Sequence, residues 1–295
     1  MNAQAATMPS PIPRLDDPGL MRSFSYIGGR WVAAGDAGTV AVYNPADNSW
    51  LGEVARLNAD ESAGAVDAAQ VAFVKWSALL PQERAAILHR WFELMIENKQ
   101  DLARIMTLEQ GKPFSESLGE IDYAASFVEF YSEEAKRPNI ESVTSHLPDA
   151  EVEVWREPLG VAALITPWNF PSAMITRKAA AAMAAGCTVV VHPSAETPFS
   201  ALALAELGER AGVPAGVFNV VTGDAATIVD PWLEDKRVRA LSFTGSTEVG
   251  KLLYRRSADT VKRLVLELGG HAPFIMFADA DFDQAVDEAI KAKFA

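Results

Sequence analysis

The sequence predicts an α/β fold built on a parallel sheet, and three observations carry that prediction. From Val161 onward, short apolar runs alternate with helical stretches: VAALIT, TVVV, VFNVV and VRALSF each give way to residues of helical spacing. Those runs are mostly apolar, which marks strands covered on both faces by helices. The 295 residues are 49% hydrophobic and 22% charged, a globular composition sufficient for one large core with smaller appendages.

The elements come in order. Residues 1–23 open with MNAQAATMPSPIPRLDDPGL, which has neither a basic start nor an apolar run; they read as a flexible tail and not as a secretion signal. YIGGRWV and TVAVYNP read as short strands, punctuated by Gly28-Gly29 and closed by Asn44-Pro45. Asp60 is placed to cap a helix through VDAAQVAFVKW. Pro81 opens a second helix, and Pro113 a third through FSESLGEIDYAASFVEFYSEEAKR. EVEVWRE alternates as a strand with one solvated face does. Helices are expected near 173–185, 198–211, 225–233 and 247–256, further strands at RLVLEL and PFIMF, and a last helix from 281.

Charge and cysteine content narrow the function. There are 26 basic against 39 acidic residues, a net −13, with no Lys/Arg cluster of the kind that holds a phosphate backbone, so nucleic acid is not an expected partner. The one cysteine, Cys187, excludes an internal disulfide framework and a cysteine-based metal cage, and it fits a reducing cytoplasm. The longest small-and-apolar run, 179–191, is too short to span a bilayer.

A parallel sheet binds ligands beyond the carboxyl ends of its strands, which points to the loops 166–171, 192–197, 222–224, 244–246 and 267–270. In LSFTGSTEVGKLL, Gly245, Gly250 and Lys251 match most of a phosphate-cradling loop of the ATPase type. Leu252, however, stands where that loop needs a hydroxyl for magnesium. The same segment serves equally as a strand-to-helix turn facing a pyrophosphate, or as a turn that merely tolerates glycine. Cys187 sits at the start of an apolar strand, opposite these loops, where a thiol is a core residue and not a nucleophile. Glu267 ends a buried strand before two glycines, the setting of a general base; a surface acid is its alternative. Asn169, between prolines and aromatics in TPWNFP, can offer its amide to an oxyanion; a turn-forming Asn is its alternative.

PWNFP at 167–171, FTGSTEVG at 243–250 and ELGG at 267–270 resemble, in order and spacing, the aldehyde dehydrogenase superfamily. NPADNSWLGEV at 44–54 and LEQGKP at 108–113 agree. FPSAMITRKAAAAMAAGCTVVV and TPFSALALAELGERAGVPAGVFNVVTG are most similar to succinate-semialdehyde dehydrogenases. The resemblance runs from about residue 24 onward and implies a Rossmann-like NAD(P)-binding domain over 24–269, a projecting oligomerisation strand segment at 140–157, and the start of a catalytic domain at 270–295. It implies Asn169 as oxyanion donor, Glu267 as the base for the deacylating water, and Lys178 as organiser of the polar network. Arg177 would hold a distal substrate carboxylate, for which a planar guanidinium is suited. Cofactor contacts are implied for Thr166, Pro167, Trp168, His192, Ser194, Ala195, Gly223, Phe243, Gly245, Ser246, Val249 and Leu268, and no metal.

Three departures qualify the resemblance. His192 stands where the family carries a lysine toward the adenosine ribose or its phosphate, and Ala195 where strict NAD users tend to carry a glutamate. The first weakens a phosphate contact and the second permits one, so NAD and NADP both remain open. The family's nucleophilic cysteine, in x-N-x-G-Q-x-C after a helix ending in K-F, has no counterpart here. The expectation is a truncated NAD(P)-dependent oxidoreductase of succinate semialdehyde or a similar short aldehyde, inactive alone. Full-length members are homo-oligomers, and this chain is not counted on to assemble. A non-catalytic cofactor-binding or assembly partner of a complete enzyme is the alternative.

Overall fold

The computed structural model describes residues 15–137 and 140–294. Of the tail expected over 1–23, residues 1–14 lie outside the described residues. The rest of it is docked on the fold. Leu15 and Leu20 are buried, Asp17 caps a 3-10 turn at Pro18–Leu20, and the amides of Asp16 and Asp17 donate to the carboxylate of buried Asp101.

Strands β1 (Ser25–Ile27) and β2 (Arg30–Val32) form a hairpin about Gly28-Gly29, both at positive φ (59° and 76°), a pair of left-handed residues that glycine adopts without strain. A separate hairpin joins β3 (Thr39–Tyr43) to β4 (Trp50–Ala55), a strand the sequence pattern does not announce because Gly52 breaks its alternation. Helix α1 (Ala59–Ala78) begins earlier than expected: Asn58, not Asp60, is the cap, exchanging bonds with Glu61 in a capping box. Where three helices are expected before residue 137 there are four: α2 (Pro81–Glu97), α3 (Lys99–Gln110) and α4 (Phe114–Glu134) come after α1. Only Asn98 separates α2 from α3, with no Gly or Pro to mark the break. Strands β5 (Ile140–Val143) and β6 (Val152–Trp155) pair as an antiparallel hairpin exposed on both faces, not on one.

The remaining chain alternates strand and helix. In order it forms β7 (Val161–Ile165), α5 (Ala173–Ala184), β8 (Thr188–His192), α6 (Pro198–Arg210), β9 (Phe218–Val220), α7 (Ala225–Glu234), β10 (Val238–Gly245), α8 (Thr247–Ser257), β11 (Arg263–Leu268) and α9 (Phe282–Phe294). The PFIMF run is not a strand: residues 271–277 are exposed and pair with nothing among the described residues, because no neighbouring strand lies alongside. The main sheet has the order β11-β10-β7-β8-β9-β1-β2. Its first five members are parallel, and the β1–β2 hairpin adds antiparallel at the β9 edge.

Each face of the sheet carries its own core. Side chains of α2 to α6 fill one, and those of α1, α7 and α8 fill the other. Trp76, Trp91 and Trp232 are fully buried, each indole N–H donating to a backbone carbonyl, of Met183, Leu204 and Ser62. The chain leaves β7 toward β8 and β9, then returns to β10 and β11 on its other side. Such a reversal opens a crevice beyond the carboxyl ends of the two central strands, here β7 and β10. No helix among the described residues is long and apolar enough to cross a membrane.

Candidate functional site

The crevice takes its walls from the loops after β7, β8 and β10 and from the end of β11. Thr166 comes directly after β7; its amide donates to the His192 carbonyl at 3.2 Å, and its buried Oγ1 has no partner. After β10, Ser246 alone separates strand from helix, and its Oγ accepts from the Val249 amide at 3.2 Å, capping α8. Gly250 and Lys251 therefore lie inside α8, not in a loop, so the ATPase-type phosphate cradle is absent. A Cβ on Gly245 would lie 2.4 Å from the Phe243 ring, and one on Gly250 2.5 Å from Leu268. These glycines thus bring β10, α8 and the end of β11 into close contact. Val249 and Leu268 remain partly exposed on that surface.

On the β8 side, Gly223 is held at φ 147° and a Cβ there would meet the Leu57 carbonyl at 3.0 Å. The Ser194 hydroxyl donates to Glu196, and Ala195 is exposed. His192 is buried. Its Nδ1 lies 3.0 Å from the Val221 carbonyl, which only accepts, so Nδ1 carries the proton; loss of hydration holds the ring's pKa below its usual value and keeps it neutral.

The acid–base groups gather where α5 passes β10 and β11. Glu267, at the end of β11, is exposed, because β11 is the edge strand of the sheet and not the buried strand expected; it accepts from Thr244 Oγ1 at 3.3 Å and faces Arg177 Nη1 at 3.5 Å. Arg177 also lies 5.4 Å from the Phe127 ring centroid. Lys178 Nζ donates to Ser242 Oγ at 3.0 Å. Loss of hydration pushes its ammonium down to about 8; Arg177 acts in the same direction and Glu267 opposes it. All three line a groove of about 430 Å³. Its floor includes every second residue of three strands, Ala162 and Leu164, Ala240 and Ser242, Val265 and Glu267, as the two-residue strand period requires. Cys187 lies on the same groove but before β8, at the amino end of the strands, and is buried. Asn169 and Trp168 are exposed on the neighbouring loop and do not line the groove. Asn169 Oδ1 accepts from the Phe170 amide at 3.1 Å, so the NH2 is the end of that amide available to a ligand.

Local patterns do not reveal three residues that organise this edge. Glu120 on α4 accepts from the Ser172 and Ala173 amides at 3.0 and 3.2 Å, capping α5 from another helix. Lys112 pairs with Glu120 at 2.6 Å and donates to the Asn169 carbonyl at 2.9 Å. Glu109 on α3 accepts from the Phe199 and Ser200 amides, each at 2.7 Å, and caps α6 in the same way. Glu109 and Lys112 belong to the LEQGKP stretch, and that motif was the available signal.

The residues fit a dinucleotide. The unpartnered buried hydroxyl of Thr166 stands at the strand reversal, and the amino end of α8 opens beside it. Among the described residues no group of three or more His, Cys, Asp or Glu side chains is arranged to hold a metal ion.

Residues 31–295 match the model of the aldehyde dehydrogenase family. The chain is 55% identical over 282 residues to a non-phosphorylating aspartate-semialdehyde dehydrogenase of Halomonas elongata, covering 95% of this chain and 57% of that protein. It is 53% identical over 281 residues to the NADP(+) succinate-semialdehyde dehydrogenase of Escherichia coli, covering 95% of this chain and 58% of that one. The crystal structure of a succinate-semialdehyde dehydrogenase from Burkholderia pseudomallei superposes with a TM-score of 0.92 at 53% identity, over 95% of this chain and 58% of the other. The chain thus spans a little over half the length of these relatives.

Proposed function

This chain belongs to the aldehyde dehydrogenase family, and we propose that its 295 residues supply the cofactor crevice, the oxyanion donor and the general base for NAD(P)-dependent oxidation of a short aldehyde bearing a distal carboxylate. The observation that carries the reading is the meeting of Arg177, Lys178 and Glu267 at the carboxyl edge, beside the strand reversal.

Thr166, Pro167 and Trp168 would line the nicotinamide side, Phe243, Gly245, Ser246, Val249 and Leu268 the pyrophosphate and adenine side, and His192, Ser194, Ala195 and Gly223 the adenosine edge. The bound nicotinamide supplies the hydride acceptor. The chain's own groups supply three further parts, the oxyanion donor, the general base and the hold on the substrate carboxylate. Asn169 presents its NH2 to the oxygen that gains charge when the aldehyde carbon is attacked. Glu267 takes a proton from the water that releases the acid. Thr244 and Arg177 hold that carboxylate in place. A guanidinium has five N–H donors, so Arg177 can keep Glu267 and still accept a substrate carboxylate. The Halomonas and Escherichia relatives are named for four-carbon semialdehydes that carry a carboxylate, which supports that substrate class. The attacking thiolate is not supplied by Cys187, which lies buried at the far end of the strands.

The reading is tested on the chain itself. NAD or NADP is expected to quench tryptophan fluorescence saturably, with the change lost in Trp168→Phe, and succinate semialdehyde with either cofactor is expected to give no turnover. Absence of any nucleotide binding overturns the crevice. Robust oxidation abolished by Glu267→Gln overturns the exclusion of Cys187 chemistry or of another internal nucleophile. The fully exposed β5–β6 hairpin favours a second reading, a cofactor-binding partner that docks on a complete subunit through that hairpin.

A further inference from the structure

We propose that Lys112 and Glu120 are positioning residues that set the loop of Trp168 and Asn169, and through it the nicotinamide side of the crevice; the second half of this inference rests on the proposed binding of NAD(P). Glu120 is buried and Lys112 half-buried, with side-chain exposures of 1% and 12%. Lys112 Nζ reaches Glu120 Oε2 at 2.6 Å and the Asn169 carbonyl at 2.9 Å, and lies 4.1 Å from the Phe170 ring centroid. Glu120 Oε1 takes the Ser172 and Ala173 amides. One ion pair therefore grips the chain on both sides of the turn at 170–171: the peptide plane after Asn169, and the first turn of α5.

The loop needs that grip. Pro167 and Pro171 fix their own φ but do not hold the peptide plane between Asn169 and Phe170, whose N–H is tied only to the Asn169 side chain itself. The direction of that plane decides where the Asn169 side chain begins. A buried charge pair contributes little net stability when both ions must be desolvated, but it fixes geometry because each remaining donor and acceptor must be satisfied. Neither residue lines the groove beside Glu267, so the pair acts through the loop and not on the reacting atoms.

The test is the double variant Lys112→Met/Glu120→Gln, which removes both charges and keeps an acceptor for the two α5 amides. Its melting midpoint is expected near that of the parent. Dinucleotide binding is expected to weaken by about tenfold, the loss of one charge-assisted hydrogen bond, while ADP, which lacks the nicotinamide, binds as before. The isotope-labelled Asn169 carbonyl is expected to shift in the double variant and to return in Lys112→Arg. Equal weakening for ADP and dinucleotide, or no change in either, would overturn the proposal. If the double variant does not fold, the parent decides: Lys112 ammonium protons exchanging as slowly as buried donors support the clamp, and exchange as fast as at surface lysines refutes it. A parent that binds no dinucleotide defeats the cofactor reading, while the carbonyl shift and ammonium exchange still judge the clamp.

Discussion

Glu109 shows how one side chain trades stability against pH. It is fully buried, and loss of hydration pushes its carboxyl from 4.5 up to about 8, against the two amides of α6 that favour the ionised form. A folded pKa above the unfolded one means that folding takes up a proton. The group's favourable contribution is therefore complete below about 4.5 and is lost as pH rises to about 8. Glu109→Gln keeps an acceptor and cannot ionise. Urea unfolding should show the variant gaining on the parent across that window, at no more than about 1.4 kcal/mol per pH unit, the limit for one proton. A parallel pH dependence in the two proteins would mean that Glu109 stays ionised in the fold.

Among the elements, the β5–β6 hairpin is held by its own ladder and by the surface pair Arg156–Glu141. It contributes no residue to either core. Replacing residues 140–155 with a short Gly-Ser link should leave the melting midpoint within about 2 °C and should abolish co-purification with a complete family member. A large fall in midpoint would place the hairpin in the core, and persistent co-purification would place the docking surface elsewhere. Strands β7 and β8 were legible in the sequence because burial on both faces leaves a nearly unbroken apolar run, whereas β10 was legible despite exposed Arg239 and half-buried Ser242. PFIMF has the same look and is no strand, because apolarity states a need for cover and not that a partner is present. The site divides in the same way. Asn169, Arg177, Lys178 and Glu267 announced themselves by motif, and the groove unites the last three. Glu109, Lys112 and Glu120 act on residues 90, 57 and 52 positions away, and no local period encodes contacts of that range.

At the scale of the whole molecule, a net charge of −13 coexists with a wide apolar surface. Residues 270–293 are almost wholly exposed, with Phe274, Ile275, Met276, Phe277 and Phe282 among them. Val265 adds to this surface from the outer strand β11. Contiguous apolar area of this kind binds dyes and other surfaces, and like-charge repulsion opposes association only until salt screens it. The folded chain should bind an apolar-surface dye at neutral pH and self-associate more at high salt. Ile275→Ser/Phe277→Ser/Phe282→Ser should lose most of the dye signal with no fall in melting midpoint. A signal untouched by those changes would locate the sticky surface elsewhere.

Cys187 closes off one chemistry and makes a measurement available. It is the sole thiol, buried where α5 hands over to β8. At 6% exposure on the groove wall its thiol offers an alkylating reagent little room until that junction opens, so the rate of labelling reports how often it does. Comparing that rate with and without nucleotide would then time how often the sheet breathes at the end remote from the crevice, with no residue changed.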